Sequence, residues 1–177
     1  MHRNQGYKIP KALRQVTLWV HPEGRVIGSL FLNFHTKNGA GVEDPFDVLN
    51  EPMPFLALQR ADPENLRFYN KRSIVRVEYQ EEQEPPEEGV TTLSCQLSMM
   101  DGSLIAGTVR HVLPPGRSRL YDYLNLANER FAKLYMEDGY VCLVHKTYIV
   151  CVSHLDDQYS VELPRLTDEV AMDVTYV

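Results

Sequence analysis

Cysteine and long hydrophobic runs are scarce in this sequence. Its 177 residues include three cysteines, too few and too odd in number for a disulfide framework, so we expect a reducing compartment. No apolar run approaches the roughly 20 residues that a membrane-spanning helix requires. The first fifteen residues also lack the apolar stretch of a secretory signal. We therefore expect a soluble cytoplasmic protein that does not insert into a membrane.

Positive charge is also in deficit. The chain has 18 lysines and arginines against 24 aspartates and glutamates, and its net charge is −6. A protein that binds polyanions without sequence preference needs a surplus of cations, so this class is disfavoured. Charged residues make up 24% and apolar residues 44% of the chain, which is typical of folded globular proteins. The length suits one ordinary domain or two small ones.

Motifs of catalysis and of metal binding are missing as well. The chain has no nucleophile elbow and no phosphate-binding loop. None of its six histidines lies four residues from another, and none pairs with a cysteine at zinc-finger spacing. The sequence therefore predicts no enzyme, no cofactor and no metal site.

An internal repeat is the main feature that the sequence does contain. Residues 16–79 and 95–155 match at six places in the same order. The matched pairs are Leu18 with Leu97, Gly28 with Gly107, Asp47 with Asp122, Asn50 with Asn125, Phe55 with Phe131, and Lys71 with Lys146. Agreement in this register indicates a duplicated module.

The repeat divides the chain into five segments. Residues 1–15 are a basic arm without acids, 16–79 the first repeat, 80–89 an acidic linker with two prolines, 90–155 the second repeat, and 156–177 a C-terminal extension. Proline and glutamate favour an extended, solvated linker. Apolar residues alternate with others near the end of the extension, which predicts a strand there.

Each repeat has the pattern of a small β structure. Gly24 and Gly102 lie in turn sequences between two apolar strands, which predicts a hairpin in each repeat. Gly28 and Gly107 lie inside the second strand, where glycine indicates a bend or a close backbone approach. Four to five short strands per repeat predict a mainly β fold of two tandem small SH3-like barrels, each with one short helix.

The short helix is predicted to follow the second strand. Asp44-Pro45 supplies the cap and the first turn in the first repeat. Asp47 and Asp122 are expected in the first helical turn, where backbone amides and the helix dipole stabilise a carboxylate. Asn50 and Asn125 are expected to hydrogen-bond the backbone near the helix end. These are structural positions, which explains why they recur in both repeats.

The last two strands of each repeat are predicted to form a hairpin. In the first repeat the hairpin is centred on Lys71 and Arg72, which places Arg67 opposite Arg76. These cations, with Arg60 nearby, would create a basic face on the first repeat that suits an anionic partner.

The same strand positions in the second repeat carry cysteine. Cys142 and Cys151 would face each other across a hairpin centred on Lys146. Two isolated thiols in the core are the favoured interpretation, because a free cysteine behaves as a small buried hydrophobe. Pairing of the two thiols stays open.

The strand and turn motifs resemble those of Sm proteins. Residues Gly24 to Leu30 and Gly102 to Val109 are similar to the first Sm motif, in which the second strand holds an internal glycine. Residues 69–74 and 144–149 resemble the second Sm motif. More closely, each repeat is similar to an uncharacterised Sm-like domain of bacterial proteins, with Asp-x-Leu-Asn followed by Asn-Lys-x-x-Ile.

The Sm resemblance implies a fold, a mode of assembly and a ligand. It implies a small barrel, ring assembly through strand edges, and RNA binding by loop residues. The RNA-contact positions that it implies are Asn50, Asn70, Lys71 and Arg72 in the first repeat, and Asn125, His145, Lys146 and Thr147 in the second.

A further short resemblance concerns cyclic-di-GMP. Arg72 and Arg76, followed by Asp101 and Ser103, are similar to the signature of PilZ domains, in which guanidinium groups clamp phosphates. The final glycine, Gly107, lies one residue later than in that signature, and Asp101 with the next glycine also fits a hairpin turn.

Two functions are therefore expected. The first is a non-catalytic module for protein interaction or self-association, acting through exposed strand edges and the basic face. The alternative is RNA or nucleotide binding through the lysine-containing loops. Salt distinguishes the two, because phosphate contacts weaken steeply with ionic strength.

Overall fold

The computed structural model describes residues 10–36, 39–112, 114, 116 and 119–155. In this part of the chain, ten antiparallel strands form one open sheet, accompanied by a two-stranded ribbon and two short helices. The prediction of a mainly β chain is confirmed. The start of the basic arm and the strand predicted near the C-terminus lie outside the described residues. No helix among the described residues is long and apolar enough to cross a membrane.

The elements divide at the acidic linker into two halves. The first half contains β1 (Lys11–Val20), β2 (Gly24–Asn33), β3 (His35–Thr36), β4 (Gly39–Ala40), α1 (Pro45–Asn50), β5 (Phe55–Arg60), β6 (Asn65–Asn70) and β7 (Ile74–Gln80). The second half contains β8 (Thr91–Met99), β9 (Leu104–His111), α2 (Leu120–Leu124), β10 (Phe131–Tyr135), β11 (Tyr140–His145) and β12 (Ile149–His154). The first strand thus begins inside the segment interpreted as a basic arm.

The order of strands in the sheet repeats. The full order is β12-β8-β9-β10-β11-β7-β1-β2-β5-β6. The five strands of the first half run β7-β1-β2-β5-β6, and those of the second half run β12-β8-β9-β10-β11. The strands of the two halves therefore follow the same order, so that β7 matches β12 and β6 matches β11. Strands and residues at matching positions in the two halves are called corresponding below. Among the described residues no strand pairs with the outer side of β6 or of β12, the two ends of the sheet, and these two strands are called the free edges below.

The prediction of hairpins around Lys71 and Lys146 is wrong. A short 3-10 turn, Lys71–Ser73 in the first half and Lys146–Tyr148 in the second, separates the two strands in each case. The side chains of Asn70 and His145 accept hydrogen bonds from the second residue after them, at 3.0 and 3.2 Å. The two strands on either side of each 3-10 turn do not pair with each other, because β7 pairs with β1 and β12 pairs with β8.

The side-chain pairs expected across those hairpins are wrong for the same reason. Arg67 lies opposite Leu58 on β5, while Arg76 lies between β1 and β11. Cys142 lies opposite Glu78 and Cys151 opposite Ser98, and both are free thiols. The basic face built on an Arg67–Arg76 pair therefore does not exist.

Gly28 lies where β2 runs close to β5, and Gly107 lies where β9 runs close to β10. A Cβ atom at Gly28 would lie 2.5 Å from the carbonyl oxygen of Gln59, and one at Gly107 would lie 2.9 Å from that of Tyr135. Both distances are shorter than van der Waals contact allows. The close backbone approach inferred from the sequence is present at both positions.

The helix starts follow the sequence pattern. Asp44 caps α1, because its Oδ1 accepts a hydrogen bond from the Phe46 amide at 2.8 Å, and Pro45 begins the helix. Asp47 lies in the first turn of α1 and Asp122 in that of α2. The Asp122 carboxylate accepts a bond from the Arg119 amide at 3.3 Å. These carboxylates stabilise amides that have no partner within the helix.

Candidate functional site

The two halves meet along β7 and β11, and this contact is called the junction. The strands pair antiparallel over five residue pairs, from Tyr140 opposite Gln80 to Val144 opposite Arg76. Strand β7 is therefore hydrogen-bonded to β1 on one side and to β11 on the other. The junction makes the sheet continuous from one half to the other.

Side chains cross the junction into the neighbouring core. Phe131, Val141 and Leu143 belong to the second half, yet all three are fully buried in the hydrophobic cluster of the first. In the other direction, Val75 of β7 packs on the cluster of the second half. Burying one such side chain contributes about 1.5–3 kcal/mol. The halves are thus joined by shared core packing as well as by the strand pair.

A polar network also crosses the junction. The Lys133 Nζ of β10 lies 2.7 Å from the Asp44 Oδ2 and 3.5 Å from the Glu81 Oε2. The Tyr79 hydroxyl donates a hydrogen bond of 3.3 Å to the Asp44 Oδ1. Burial acts to lower the pKa of Lys133, but the hydrogen bond to the Asp44 carboxylate and the charges of Asp44, Tyr135 and Glu81 together outweigh it and raise this pKa. The ammonium group therefore stays charged within the junction.

Asn50 connects the halves through the main chain. Its Oδ1 accepts hydrogen bonds from the amides of Arg130 at 2.7 Å and Phe131 at 3.0 Å. The side chain binds backbone as expected, but the bound amides lie in the other half and not at the end of its own helix. Asn125 does behave as expected, donating from Nδ2 to the Tyr121 carbonyl of α2 at 2.8 Å, and it is exposed.

The two lysines of the 3-10 turns bind main-chain carbonyls. Lys71 is 1% exposed, and its Nζ donates to the carbonyls of Val48 and Glu51 at the end of α1. The Nζ of Lys146 donates to the Leu126 carbonyl at 3.1 Å. Burial lowers the pKa of both lysines. Lys71 thus holds the connection between helix and strand and is closed to an RNA ligand.

A cleft of about 830 Å³ opens where the two 3-10 turns approach each other across the junction. Five of the residues singled out in the sequence line it, and three others do so without having been predicted. The lining residues are Asn70, Arg72, His145, Lys146 and Thr147, together with Pro52, Pro54 and Arg130. Arg130 belongs to no motif of the sequence.

His145 forms one wall of the cleft. The side chain is 6% exposed and lies edge-on to the rings of Phe131 and Tyr148. Burial, with the charge of Arg130, lowers the pKa of His145. Its Nδ1 accepts the Thr147 amide, so the neutral ring carries its hydrogen on Nε2. That Nε2 has no hydrogen-bond partner among the described residues.

The residues that resemble a cyclic-di-GMP signature bind one another. The Asp101 carboxylate accepts bonds from the Ser103 amide at 2.9 Å and the Ser103 hydroxyl at 2.6 Å, and these bonds lower the pKa of Asp101. The Arg76 guanidinium stacks on Trp19 at 4.1 Å and bonds to Glu78 at 3.0 Å. Asp101 and Arg76 therefore have internal partners, and Asp101 stabilises its turn.

Two buried histidines make stability dependent on pH. Burial lowers the pKa of His111 and of His145 below the ordinary 6.5. Below that pH the unfolded chain binds protons that the folded chain excludes, so we expect the free energy of unfolding to fall progressively as pH drops from about 6.5. Chemical denaturation between neutral and mildly acidic pH measures this loss.

Matched variants for this pH test come from the first half. Asn70 corresponds to His145 and Leu32 to His111. The double variant His145→Asn with His111→Leu keeps the turn cap and the packing but removes both titrating rings. We expect its stability to be flatter over the same pH window. An equally steep profile in the double variant would contradict the assignment.

Comparison of the chain with protein-family models, with curated proteins and with solved structures finds no match.

Proposed function

We propose that the two halves are Sm-like barrels of the SH3-like kind, and that the chain is a non-catalytic assembly module. In this proposal the module self-associates head to tail, with β6 of one molecule pairing with β12 of the next. The repeated strand order supports the proposal, because within one chain the junction already joins β11, which corresponds to β6, with β7, which corresponds to β12.

The single observation that carries the proposal is a difference in exposure between corresponding residues. Phe131, Val141 and Leu143 are each 0% exposed at the junction. Their counterparts at the β6 end of the sheet are Phe55, Leu66 and Phe68, which are 57%, 51% and 67% exposed. The β6 end thus carries exposed apolar side chains at the positions whose counterparts are buried at the junction. Exposed apolar residues clustered on an unpaired strand edge mark an association surface.

The β12 end offers the complementary surface. Val150 corresponds to Val75, which packs across the junction on the second core, but Val150 is 65% exposed. Asn125 corresponds to Asn50 and is likewise exposed, so it can accept a bond from the Phe55 amide of a neighbouring molecule. Pro54 has no N–H and cannot supply the second bond that Arg130 supplies at the junction.

The register of the proposed contact follows from that of the junction. Because Leu143 lies opposite Val77, Phe68 is expected opposite Val152 of the next molecule. Arg67 is expected opposite Ser153 in the same way. Pairing of this kind is head to tail, and such contacts close into a ring when the rotation per molecule divides a full turn. The Sm resemblance favours the closed ring.

The contact between molecules is expected to be weaker than the junction. The Lys133–Asp44 ion pair has no counterpart, because the corresponding residues are Ala57 and Arg119. The partly buried junction pair therefore contributes a charge-assisted bond that the intermolecular contact lacks. We expect reversible association that responds to protein concentration.

Light scattering on size-exclusion-separated protein tests the proposal. The wild-type chain is expected at a multiple of its 20.4 kDa mass, dissociating on dilution. Phe68→Lys places a charge at the centre of the proposed contact, and we expect the variant to be monomeric at every concentration. High salt is expected to leave the wild-type assembly intact, because its centre is apolar.

The matched control is Leu13→Lys, since Leu13 is 61% exposed but lies on β1, away from both free edges. This variant is expected to assemble as the wild type does. The proposal would be contradicted if the wild-type chain were monomeric, or if the Phe68→Lys variant formed assemblies of the same mass as the wild type. A mass increase only in the presence of another protein would point to a different partner for the edges.

A further inference from the structure

The cleft between the two 3-10 turns has the charge of an anion site. Among its eight lining residues, Arg72, Arg130 and Lys146 are cations and none is an acid. This is unusual for a chain with a net charge of −6. Three cations that surround one cavity repel one another, and an anion bound between them relieves this repulsion.

The hydrogen-bonding capacity of these cations is only partly used. The Arg130 Nη2 donates to the Pro52 carbonyl at 3.2 Å, which orients its guanidinium at the cleft rim. Lys146 uses one of its three N–H groups on the Leu126 carbonyl. No hydrogen bond or ion pair to the Arg72 guanidinium occurs among the described residues, and this side chain is exposed. Donors therefore remain available on both sides of the cavity.

The two sides of the cleft come from different halves of the chain. Arg72 belongs to the 3-10 turn before β7. The Tyr148 hydroxyl of the second half holds this turn in place by donating a hydrogen bond of 2.8 Å to the Arg72 carbonyl. Arg130 is held by the bond from its amide to Asn50 at 2.7 Å. The junction thus holds the backbones of Arg72 and Arg130 on the two sides of the cleft within a single chain, independently of any contact between molecules.

We propose that this cleft binds a phosphate group, held between the guanidinium groups of Arg72 and Arg130 with Lys146 and His145 beside it. Guanidinium groups match the oxygen geometry of phosphate, and several converging cations suit an anion that carries more than one negative charge. The volume of about 830 Å³ lies within the range of about 300–1,000 Å³ typical of small-ligand sites. It leaves room for the organic part of a phosphate ester against Pro52 and Pro54.

Isothermal titration calorimetry of the full chain tests this proposal with four probes. These are adenosine 5′-monophosphate, inorganic phosphate, adenosine as the uncharged match, and a short single-stranded RNA. The monophosphate and inorganic phosphate are expected to bind and adenosine is not. RNA binding without mononucleotide binding, with the same sensitivity to the variants, would identify the source of the phosphate as a nucleic acid chain.

Arg72→Gln and Arg130→Gln are the test variants. Each removes a charge-assisted bond, so the affinity for the phosphate probe that binds is expected to fall about tenfold or more. Arg14→Gln is the control, since Arg14 bonds to Gln80 at the opposite end of β7 and its loss is expected to leave affinity unchanged. Equal affinity for adenosine and its monophosphate, an equal loss in all three variants, or no binding of any phosphate probe would overturn the proposal.

The proposal of assembly and the proposal of phosphate binding can be tested separately. The monomeric Phe68→Lys variant is expected to retain full phosphate affinity, because the cleft is complete within one chain.

Discussion

Replacing Phe131 with alanine is expected to destabilise the fold by about 3–5 kcal/mol, the usual cost of removing a fully buried phenylalanine side chain. Phe131 belongs to β10 but is buried in the core of the first half, and its ring also lies edge-on to His145 at a centroid distance of 4.7 Å. Its loss opens a cavity where the two halves share packing. Chemical denaturation monitored by tryptophan fluorescence and circular dichroism measures the change.

Phe55→Ala is the matched control for this variant. Phe55 corresponds to Phe131, but it lies at the free β6 end of the sheet and is 57% exposed. In the monomeric Phe68→Lys background we expect Phe55→Ala to change stability by less than about 1 kcal/mol, as at other exposed positions. Equal losses for the two phenylalanine variants would mean that the junction does not bury Phe131 as described.

Gly28→Ala is the second substitution expected to have a large effect. The added Cβ would lie 2.5 Å from the Gln59 carbonyl oxygen and 2.8 Å from the Leu58 Cγ. A backbone atom cannot move aside as a flexible side chain does, so β5 has to shift away from β2. We expect a loss of about 3 kcal/mol, at the upper end of the usual cost of overpacking.

Two further substitutions calibrate this effect. At Gly107 the nearest atom, the Tyr135 carbonyl oxygen, lies at 2.9 Å, so Gly107→Ala is expected to cost less, about 1–2 kcal/mol. Ser29→Ala on the same strand adds no atom and is expected to be close to neutral. A Gly28→Ala variant as stable as Ser29→Ala would show that β2 and β5 are not in close contact.

The features that could be predicted from the sequence are local ones. The glycine turns at Gly24 and Gly102, the caps of α1 and the first-turn carboxylates follow from conformational preferences within a few residues. The close approach at Gly28 and Gly107 could also be inferred, because glycine weakens an apolar strand unless the backbone bends there or lies close to another strand.

Apart from the first hairpin of each half, strand partners could not be inferred in the same way. The segment from Asn70 to Ser73 has the composition of a hairpin turn, yet its asparagine caps a 3-10 turn that directs β7 to β1. Alternation of apolar residues indicates that a strand exists, but it does not indicate which strand lies beside it. The predictions that Arg67 lies opposite Arg76 and that Cys142 lies opposite Cys151 are wrong for this reason.

The cleft could be predicted only in part. Asn70, Arg72, His145 and Lys146 stand out in two separate repeats, and the structure brings them around one cavity. Arg130 could not be found, since it corresponds to Pro54 and belongs to no repeated motif. The prediction that Lys71 contacts a ligand is wrong, because burial of a lysine on two carbonyls leaves no pattern in a single sequence.

Disulfide trapping in the register of the proposed β6–β12 contact tests the central claim most directly. Arg67→Cys and Ser153→Cys, in a chain with Cys151→Ser, place the two thiols opposite each other in neighbouring molecules. Directly opposed residues of antiparallel strands have Cα atoms about 4.5–5.5 Å apart, a distance that a disulfide spans. Mild oxidation is expected to give covalently linked chains at multiples of the single-chain mass. Oxidation that yields no more linked chains than a control with Leu13→Cys in place of Arg67→Cys would contradict head-to-tail assembly.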